Sequence, residues 1–318
     1  MEAATVELDG QYRAVREGVG FLPRERAQVV ASGADAIDYL QGQLTNDLEA
    51  LEPGDGCYAA LLDRKGRMQG DMRVLVVAPD EVWIDTEPQA APAILRHLQM
   101  YKVGREVEID DVSDERAIVS LIGPGAENAL GVGPVGSEHS HRGFDAGVGA
   151  PCRALATDLG VDVICPAAVV EPLAERLASA GAAPITEAAA EIVRVESGRP
   201  RFGREMTTET IPQEAGINER AVSFTKGCYI GQETVARLHY KGKPNRHLRG
   251  LRLEAAVDAG APIVLDEREL GRVGSAALSP ALGPIALAIV RREAQPGTRV
   301  TVGDGVTAEV VDLPFGAA

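Results

Sequence analysis

The chain has 318 residues, of which 45% are hydrophobic and 25% charged, so we expect a globular protein of two or three domains. Its formal net charge of −15 argues against general nucleic-acid binding and against an anionic membrane surface. The first twenty residues lack an apolar signal-peptide core, and no run of about 18 apolar residues occurs, so the sequence favours the reducing cytoplasm.

The first third of the chain predicts short helices and a hairpin. Residues 34–40 predict an amphipathic helix that runs into Leu-Gln-Gly-Gln-Leu-Thr-Asn-Asp at 40–47. The Thr-Asn-Asp group, which includes Asn46, is typical of a turn capped by its own side chains. Asp71 falls inside a strand pattern, where a charge either faces solvent or serves a site. The predicted elements are strands at 58–62, 68–77 and 81–85 and a helix at 88–103.

Two motifs in the middle of the chain are rejected as ligand sites. Gly131-Val132-Gly133-Pro134-Val135-Gly136 has GxGxxG spacing, but it follows a helix pattern and contains a proline, which is wrong for a dinucleotide loop. Glu138, His139 and His141 lie in a polar, Gly-rich stretch with no further ligand at a telling spacing. The pattern predicts an exposed loop there, and we expect no metal site. The surrounding predictions are strands at 117–122, 153–157 and 161–165 and helices at 126–130, 168–180 and 187–197.

The cysteine spacing bears on metal binding, and the pattern after Gly250 bears on the C-terminal domain. No CxxC pair occurs, and the cysteine spacing matches neither zinc nor ferredoxin-type patterns, so the chain is not expected to hold an iron–sulfur cluster by itself. After Gly250, short strand patterns separated by Gly, Pro and Asp predict a small β-barrel. These patterns lie at 251–253, 263–265, 271–276, 285–290 and 300–302.

The densest polar motif is Lys226-Gly227-Cys228-Tyr229-Ile230-Gly231-Gln232-Glu233, with Arg237 four residues later. Cys228 lies two residues after Lys226 and just ahead of a short helical pattern. A neighbouring cation and a helix N-terminus both favour the thiolate and raise its reactivity. A small buried cysteine in a glycine turn is the alternative. From 234 to 253 the chain carries basic residues and no acid, which predicts a solvated face or a site for a ligand carboxylate.

The motif from Lys226 to Arg237 resembles the signature of the YgfZ family, folate-binding relatives of the glycine-cleavage T-protein (aminomethyltransferase) that support iron–sulfur enzymes. Three further stretches resemble signatures of this superfamily, in family order: Gln41–Asp47, Lys65–Asp71 and Arg194–Pro200. The resemblance implies an α+β, three-domain cloverleaf with folate at its centre. We expect two interleaved α+β domains, roughly 1–50 with 115–157 and 191–248, and 51–114 with 158–190, followed by a barrel at 249–318.

The resemblance also implies the ligand and its contacts. The expected cofactor is tetrahydrofolate, or a formyl or methylene derivative, with Glu196 gripping the pteridine ring and Asp71 and Asn46 beside it. Arg237 or Lys226 would hold a ligand carboxylate, and Cys228 with Lys226 would form the reactive group. T-protein relatives carry paired aspartates in the hairpin, whereas this chain has Gly70-Asp71.

Three functions remain open at this point. The first is a folate-dependent accessory protein for assembly or repair of iron–sulfur clusters in client enzymes. The second is a true aminomethyltransferase, against which the missing aspartate and the Cys228 motif count. The third is a folate-binding scaffold that does no chemistry.

Overall fold

A computed structural model describes residues 2–316 of the chain, with side chains from residue 7 onward. The helices are α1 (Glu2–Glu17), α2 (Ala36–Gln43), α3 (Ala91–Tyr101), α4 (Ala126–Leu130), α5 (Val170–Ser179), α6 (Glu187–Glu196), α7 (Asn218–Ala221) and α8 (Gln232–Lys241), with a 3₁₀ turn at Ala167–Val169. Among these described residues, none of the helices combines the length and the apolar character needed to cross a membrane.

The strands fall into three sheets. They are β1 (Gly20–Arg24), β2 (Ala27–Ser32), β3 (Gly56–Leu62), β4 (Met68–Ala78), β5 (Glu81–Thr86), β6 (Glu108–Asp111), β7 (Arg116–Ile122), β8 (His141–Asp145), β9 (Pro151–Thr157), β10 (Gly160–Pro166), β11 (Ala183–Pro184), β12 (Arg246–Leu253), β13 (Pro262–Leu265), β14 (Arg268–Ser279), β15 (Gly283–Arg291), β16 (Arg299–Val302) and β17 (Val306–Val311).

The chain divides into two compact units, each made of segments distant in sequence. The first contains the chain up to residue 61 together with 69–189 and 220–230. The second contains 62–68, 190–219 and the chain from 231 onward. The domain boundaries expected from the sequence stay a prediction.

The first unit holds two sheets, one built from β1 and β7 to β11 and the other from the intervening strands β2 to β6. One sheet has the order β11-β1-β7-β10-β9-β8, and the other has the order β3-β4-β5-β2-β6. Successive residues of a strand face opposite sides of its sheet. Odd-numbered residues of β4 therefore share one face, on which Leu75 packs against Ile118, Leu155 and Ile164 of the other sheet.

The second unit is built around a closed barrel with strand order β12-β15-β14-β13-β16-β17. Alternate residues of its strands point inward, as expected for a small barrel filled by side chains. Leu251, Ile263, Ala288, Val302 and Val310 are among the fully buried residues of this core. The predicted α+β class with a C-terminal β-barrel is confirmed.

Most predicted elements are present with shifted ends, and the exceptions have physical reasons. We predicted nothing before residue 34, where α1, β1 and β2 occur. In β2, five consecutive residues are buried, so the alternation that marks a half-exposed strand is missing there. The exposed loop predicted around His139 and His141 is wrong: both side chains are buried, and His141 begins β8.

Candidate functional site

Asp71 lies in a polar row that crosses three neighbouring strands of the first unit. Pairing of β4 with β5 places Arg73 opposite Asp85, and pairing of β2 with β5 places Gln28 opposite Asp85. The next row on the same face lies two residues further along each of the three segments. It contains Asp71, Glu87 and Arg26. The Arg26 guanidinium donates to Glu87 Oε1 at 2.5 Å, which confirms that this row is in contact.

The Asp71 carboxyl is enclosed but only half satisfied by hydrogen bonds. The residue is 9% exposed, and the Tyr58 hydroxyl donates to its Oδ2 at 2.6 Å. Its Oδ1 is buried and has no hydrogen-bond partner within the described chain. Burial raises the pKa of Asp71, the hydrogen bond from Tyr58 and the charge of Arg26 oppose this, and the charge of Glu87 reinforces it. Burial likewise raises the pKa of Tyr58 well above its usual value.

A buried chain of alternating charges extends from this row. Arg26 Nε donates to Asp85 Oδ1 at 2.7 Å. Arg73 donates at 2.5 Å both to Asp85 and to Asp162 of β10. The two guanidiniums lower the pKa of Asp85 although burial opposes them. The chain of ion pairs thereby joins the two sheets of the first unit beside Asp71.

The glycine before Asp71 faces the opposite side of the sheet. A Cβ at Gly70 would lie 2.8 Å from Ala90 Cβ and from Ile94 Cδ1. An aspartate at position 70 would therefore be forced into the packing against α3, away from Asp71. The carboxylate that accompanies Asp71 is Glu87, which directly follows β5 and was not identified from the sequence.

Asn46 and Lys226 belong to the same unit and touch each other. The Lys226 ammonium donates to the carbonyl oxygens of Gln41, Leu44 and Asn46, at 2.6, 2.8 and 2.7 Å. These three bonds use all of its donors and satisfy carbonyls at the C-terminal end of α2, where a cation is favoured. Burial lowers the pKa of Lys226 to about 8, so the ammonium is the main form at neutral pH.

Asn46 extends the contact towards Asp71. Its side-chain amide donates to the Tyr58 carbonyl at 2.8 Å and to the Arg220 carbonyl at 3.0 Å. The predicted residues Asn46, Lys226 and Asp71 are therefore joined through Tyr58, which the sequence analysis had not singled out. Tyr58 opens the predicted strand, and a tyrosine at that position carries no motif that would have revealed its role.

Cys228 differs from the three other cysteines of the chain. Cys228 is exposed, whereas Cys57, Cys152 and Cys165 are buried. Burial raises the pKa of Cys57 to about 12 and that of Cys165 to about 11. Cys152 lies in β9 and is 4% exposed.

Glu196 and Arg237 belong to the second unit. Glu196 ends α6, is 4% exposed, and accepts a short hydrogen bond from the Ser279 hydroxyl of β14. The backbone amides of Ala281 and Leu282 donate to the same hydroxyl, so the Ser279 proton is directed at Glu196. Arg237 lies on the exposed side of α8.

Gly231 is the N-cap residue just before α8 in the second unit and has a left-handed backbone, φ +86°. A Cβ there would lie 2.5 Å from the Asp63 carbonyl oxygen, and a Cβ at Gly66 would lie 2.9 Å from Thr234 Cβ. The two glycines let the turn after β3 and the start of α8 approach closely. Glycine, which has no Cβ, permits this approach.

Family models match nearly the whole chain. The model of the GCVT N-terminal domain matches residues 4–226, and that of the glycine cleavage T-protein C-terminal barrel domain matches residues 246–316. Among solved structures, the glycine cleavage system aminomethyltransferase T of Bartonella henselae has a TM-score of 0.86 and 23% identity. That comparison covers 97% of this chain and 89% of the other, and it supports the fold.

The similar curated proteins include proteins named aminomethyltransferase. An aminomethyltransferase of Rubrobacter xylanophilus is 31% identical over 97% of this chain and 86% of its own length. An aminomethyltransferase of Thermus thermophilus is 29% identical over 96% and 89%, respectively. A chloroplastic protein of Arabidopsis thaliana, named for a transferase activity, is 27% identical over 91% of this chain and 69% of its own length.

Proposed function

Since the chain belongs to the glycine cleavage T-protein family, we propose that it binds a reduced folate and acts as an accessory protein for iron–sulfur enzymes. The observation that carries folate binding is the buried Asp71 carboxyl with an unpartnered Oδ1. A buried polar atom without a partner costs about 1–3 kcal/mol, so a ligand atom that bonds it gains that amount. Tetrahydrofolate, or its formyl or methylene derivative, supplies ring nitrogens for this contact and carries one-carbon units when bound.

The remaining predicted contacts complete the proposal. Asn46 holds Tyr58, and through it Asp71, in place. Glu196 binds the aminopyrimidine edge of the pteridine, because a carboxylate can accept two parallel hydrogen bonds from it. Ser279 fixes the orientation of Glu196. Arg237, exposed and cationic, suits the carboxylate tail of the ligand.

Cys228 is the proposed reactive group. Its thiol is exposed, so it can reach a client protein without unfolding of its surroundings. The four thiols are free, in keeping with a cytoplasmic location in which thiols stay reduced. The proposal thus places the chain with the YgfZ family: clients supply the cluster ligands, and Cys228 takes part in assembly or repair. Lys226 serves this role by fixing the chain two residues before the thiol.

Aminomethyl transfer is the second candidate function. The Rubrobacter aminomethyltransferase, 31% identical over 97% of this chain, favours it. An aminomethyltransferase transfers a one-carbon unit to bound folate. The exposed Cys228 thiol has no assigned step in that reaction. Dependence on Cys228 therefore separates the two candidates.

The first test measures folate binding by titration calorimetry with tetrahydrofolate and its 5-formyl derivative. We expect binding by the folded protein, weakened about 10- to 100-fold in Glu196→Gln, since a charge-assisted hydrogen bond is worth roughly 1.5–3 kcal/mol. Exposed Glu171→Gln on α5 is the matched control and should bind normally. Absence of binding by wild-type protein would refute the folate proposal.

The second test asks what Cys228 does. Cells lacking the protein are complemented with wild type, Cys228→Ser or Glu233→Gln, an exposed change in the same motif, and a client iron–sulfur enzyme is assayed. We expect rescue by wild type and Glu233→Gln only. Full rescue by Cys228→Ser would favour the non-catalytic scaffold, and glycine-cleavage activity independent of Cys228 would favour the transferase.

A further inference from the structure

We propose that Asp71 carries a proton in the ligand-free protein and offers it through Oδ1 to an uncharged acceptor atom of the ligand, with Glu87 as the positioning residue that maintains this state. The inference rests on the proposed folate function for the identity of the ligand. The protonated state itself can be tested without any ligand.

Positive and negative buried charges near Asp71 are unequal in number. Arg26 and Arg73 are the two cations, and each is held between two carboxylates. Asp85, Glu87 and Asp162 are the three carboxylates in those ion pairs, and all are buried. They already outnumber the guanidiniums. A further negative charge on Asp71 would have no cation of its own in a region of low dielectric, which is costly.

The hydrogen bonds locate the proton. Tyr58 donates to Oδ2, so that oxygen acts as an acceptor. Oδ1 is buried and has no partner in the described chain, which is the position of a carboxylic acid O–H that awaits an acceptor. If Asp71 were ionised, the same Oδ1 would be a buried anionic oxygen without a donor, a much less favourable arrangement.

The charged groups packed around Asp71 act on its protonation in both directions. Arg26 pulls towards ionisation, but both of its other contacts are carboxylates. Arg73 lies on the same face of β4 and is likewise paired with two carboxylates, Asp85 and Asp162. Glu87 pushes towards protonation, and burial acts in the same direction, so the pKa of Asp71 is raised. Beyond Tyr58 lie Arg220, whose guanidinium carbon is 5.0 Å from the ring centroid, and His139, whose pKa burial lowers to about 4.

A hydrogen-bond donor at Asp71 Oδ1 determines which kind of ligand atom can bind there. A protonated Asp71 bonds the lone pair of a neutral ring nitrogen or a carbonyl oxygen. A cationic nitrogen would meet a donor where it needs an acceptor. The inference therefore specifies an uncharged acceptor atom in the bound folate.

The test is infrared difference spectroscopy of the ligand-free protein, wild type minus Asp71→Asn, in H₂O and D₂O. We expect a carboxylic-acid C=O band at neutral pH that shifts in D₂O and disappears as the pH is raised. Glu87→Gln removes the neighbouring negative charge and should move this titration downward by one pH unit or more, a tenfold change. Glu171→Gln is the control and should leave the band unchanged. Absence of the wild-type band at neutral pH overturns the inference.

Stability provides a second readout if Glu87→Gln fails to fold. Because the pKa of Asp71 is raised on folding, its stabilising contribution is present below the ordinary aspartate range and is lost as pH rises through the folded-state pKa. Wild type should therefore lose stability relative to Asp71→Asn as pH increases from about 4. A constant difference overturns the inference. Loss of folate binding with the band intact refutes the proposed function and leaves the protonated Asp71 supported.

Discussion

Lys226 and Cys228 are two residues apart, yet their surroundings are opposite. The lysine is buried, with each of its donors on a carbonyl oxygen, whereas the thiol is exposed. In sequence the two looked like a cation and the thiol that it activates. In the structure the ammonium is committed to the end of α2. A polar motif can thus consist of an anchor that shapes the backbone and a separate group that this backbone presents.

The largest expected effect is a difference in thiol reactivity. Cys228 should react with iodoacetamide about 1,000-fold faster than the other three cysteines in native protein, because buried thiols react only after opening of the structure. Peptide mass spectrometry after timed quenching gives the rate for each cysteine. Comparable rates for Cys228 and Cys152 would contradict the comparison, and denatured protein, in which all four become accessible, is the control.

Lys226→Met should have the next largest effect. The change leaves three carbonyls without this donor, two of them buried and that of Asn46 partly buried. At about 1–3 kcal/mol for each unsatisfied group we expect a loss of about 3 kcal/mol or more. Urea unfolding measures it. Lys241→Met, at an exposed position of α8, is the matched control and should change stability by less than about 0.5 kcal/mol. A similar small change in Lys226→Met would show that the lysine is no anchor.

The smallest effect is expected at the thiol itself. Cys228→Ser should alter the free energy of unfolding by less than about 0.5 kcal/mol, since an exposed side chain makes little contribution to packing. The same urea experiment applies. A loss above about 1 kcal/mol would mean that Cys228 has a structural role and would remove the contrast with Lys226.

The sequence predicted the fold better than it predicted the site. The barrel strands and the 58–86 hairpin were visible from alternation, but Glu87 was not. A two-residue turn at Pro79-Asp80, counted regularly from the pairing of Ala78 with Glu81, would place Asp71 opposite Pro88. A bulge between Val76 and Ala78 shifts the register by one, so that Met72 faces Thr86 and Glu87 comes beside Asp71. A register shift of this kind leaves no mark in composition or periodicity.

The burial of Asp71 and Lys226 was equally hidden. A charge in a strand pattern usually faces solvent, whereas the face of β4 that carries Asp71 packs against the second sheet, which distant segments supply. The partners of Lys226 are backbone carbonyls, which every residue possesses, so no side-chain pattern announces them. Side-chain motifs pointed to these segments, whereas the contacts within the segments depend on tertiary structure.

The position of Lys226 also has a consequence for biosynthesis. Its ammonium bonds the Asn46 carbonyl across a sequence separation of 180 residues. At about 5–20 residues per second, a ribosome needs roughly 10–40 s to make the intervening chain. Throughout that interval the end of α2 in the nascent polypeptide lacks its cation. Completion of the first unit, and with it the final surroundings of Cys228, therefore waits until residue 230 of the 318 has been synthesised.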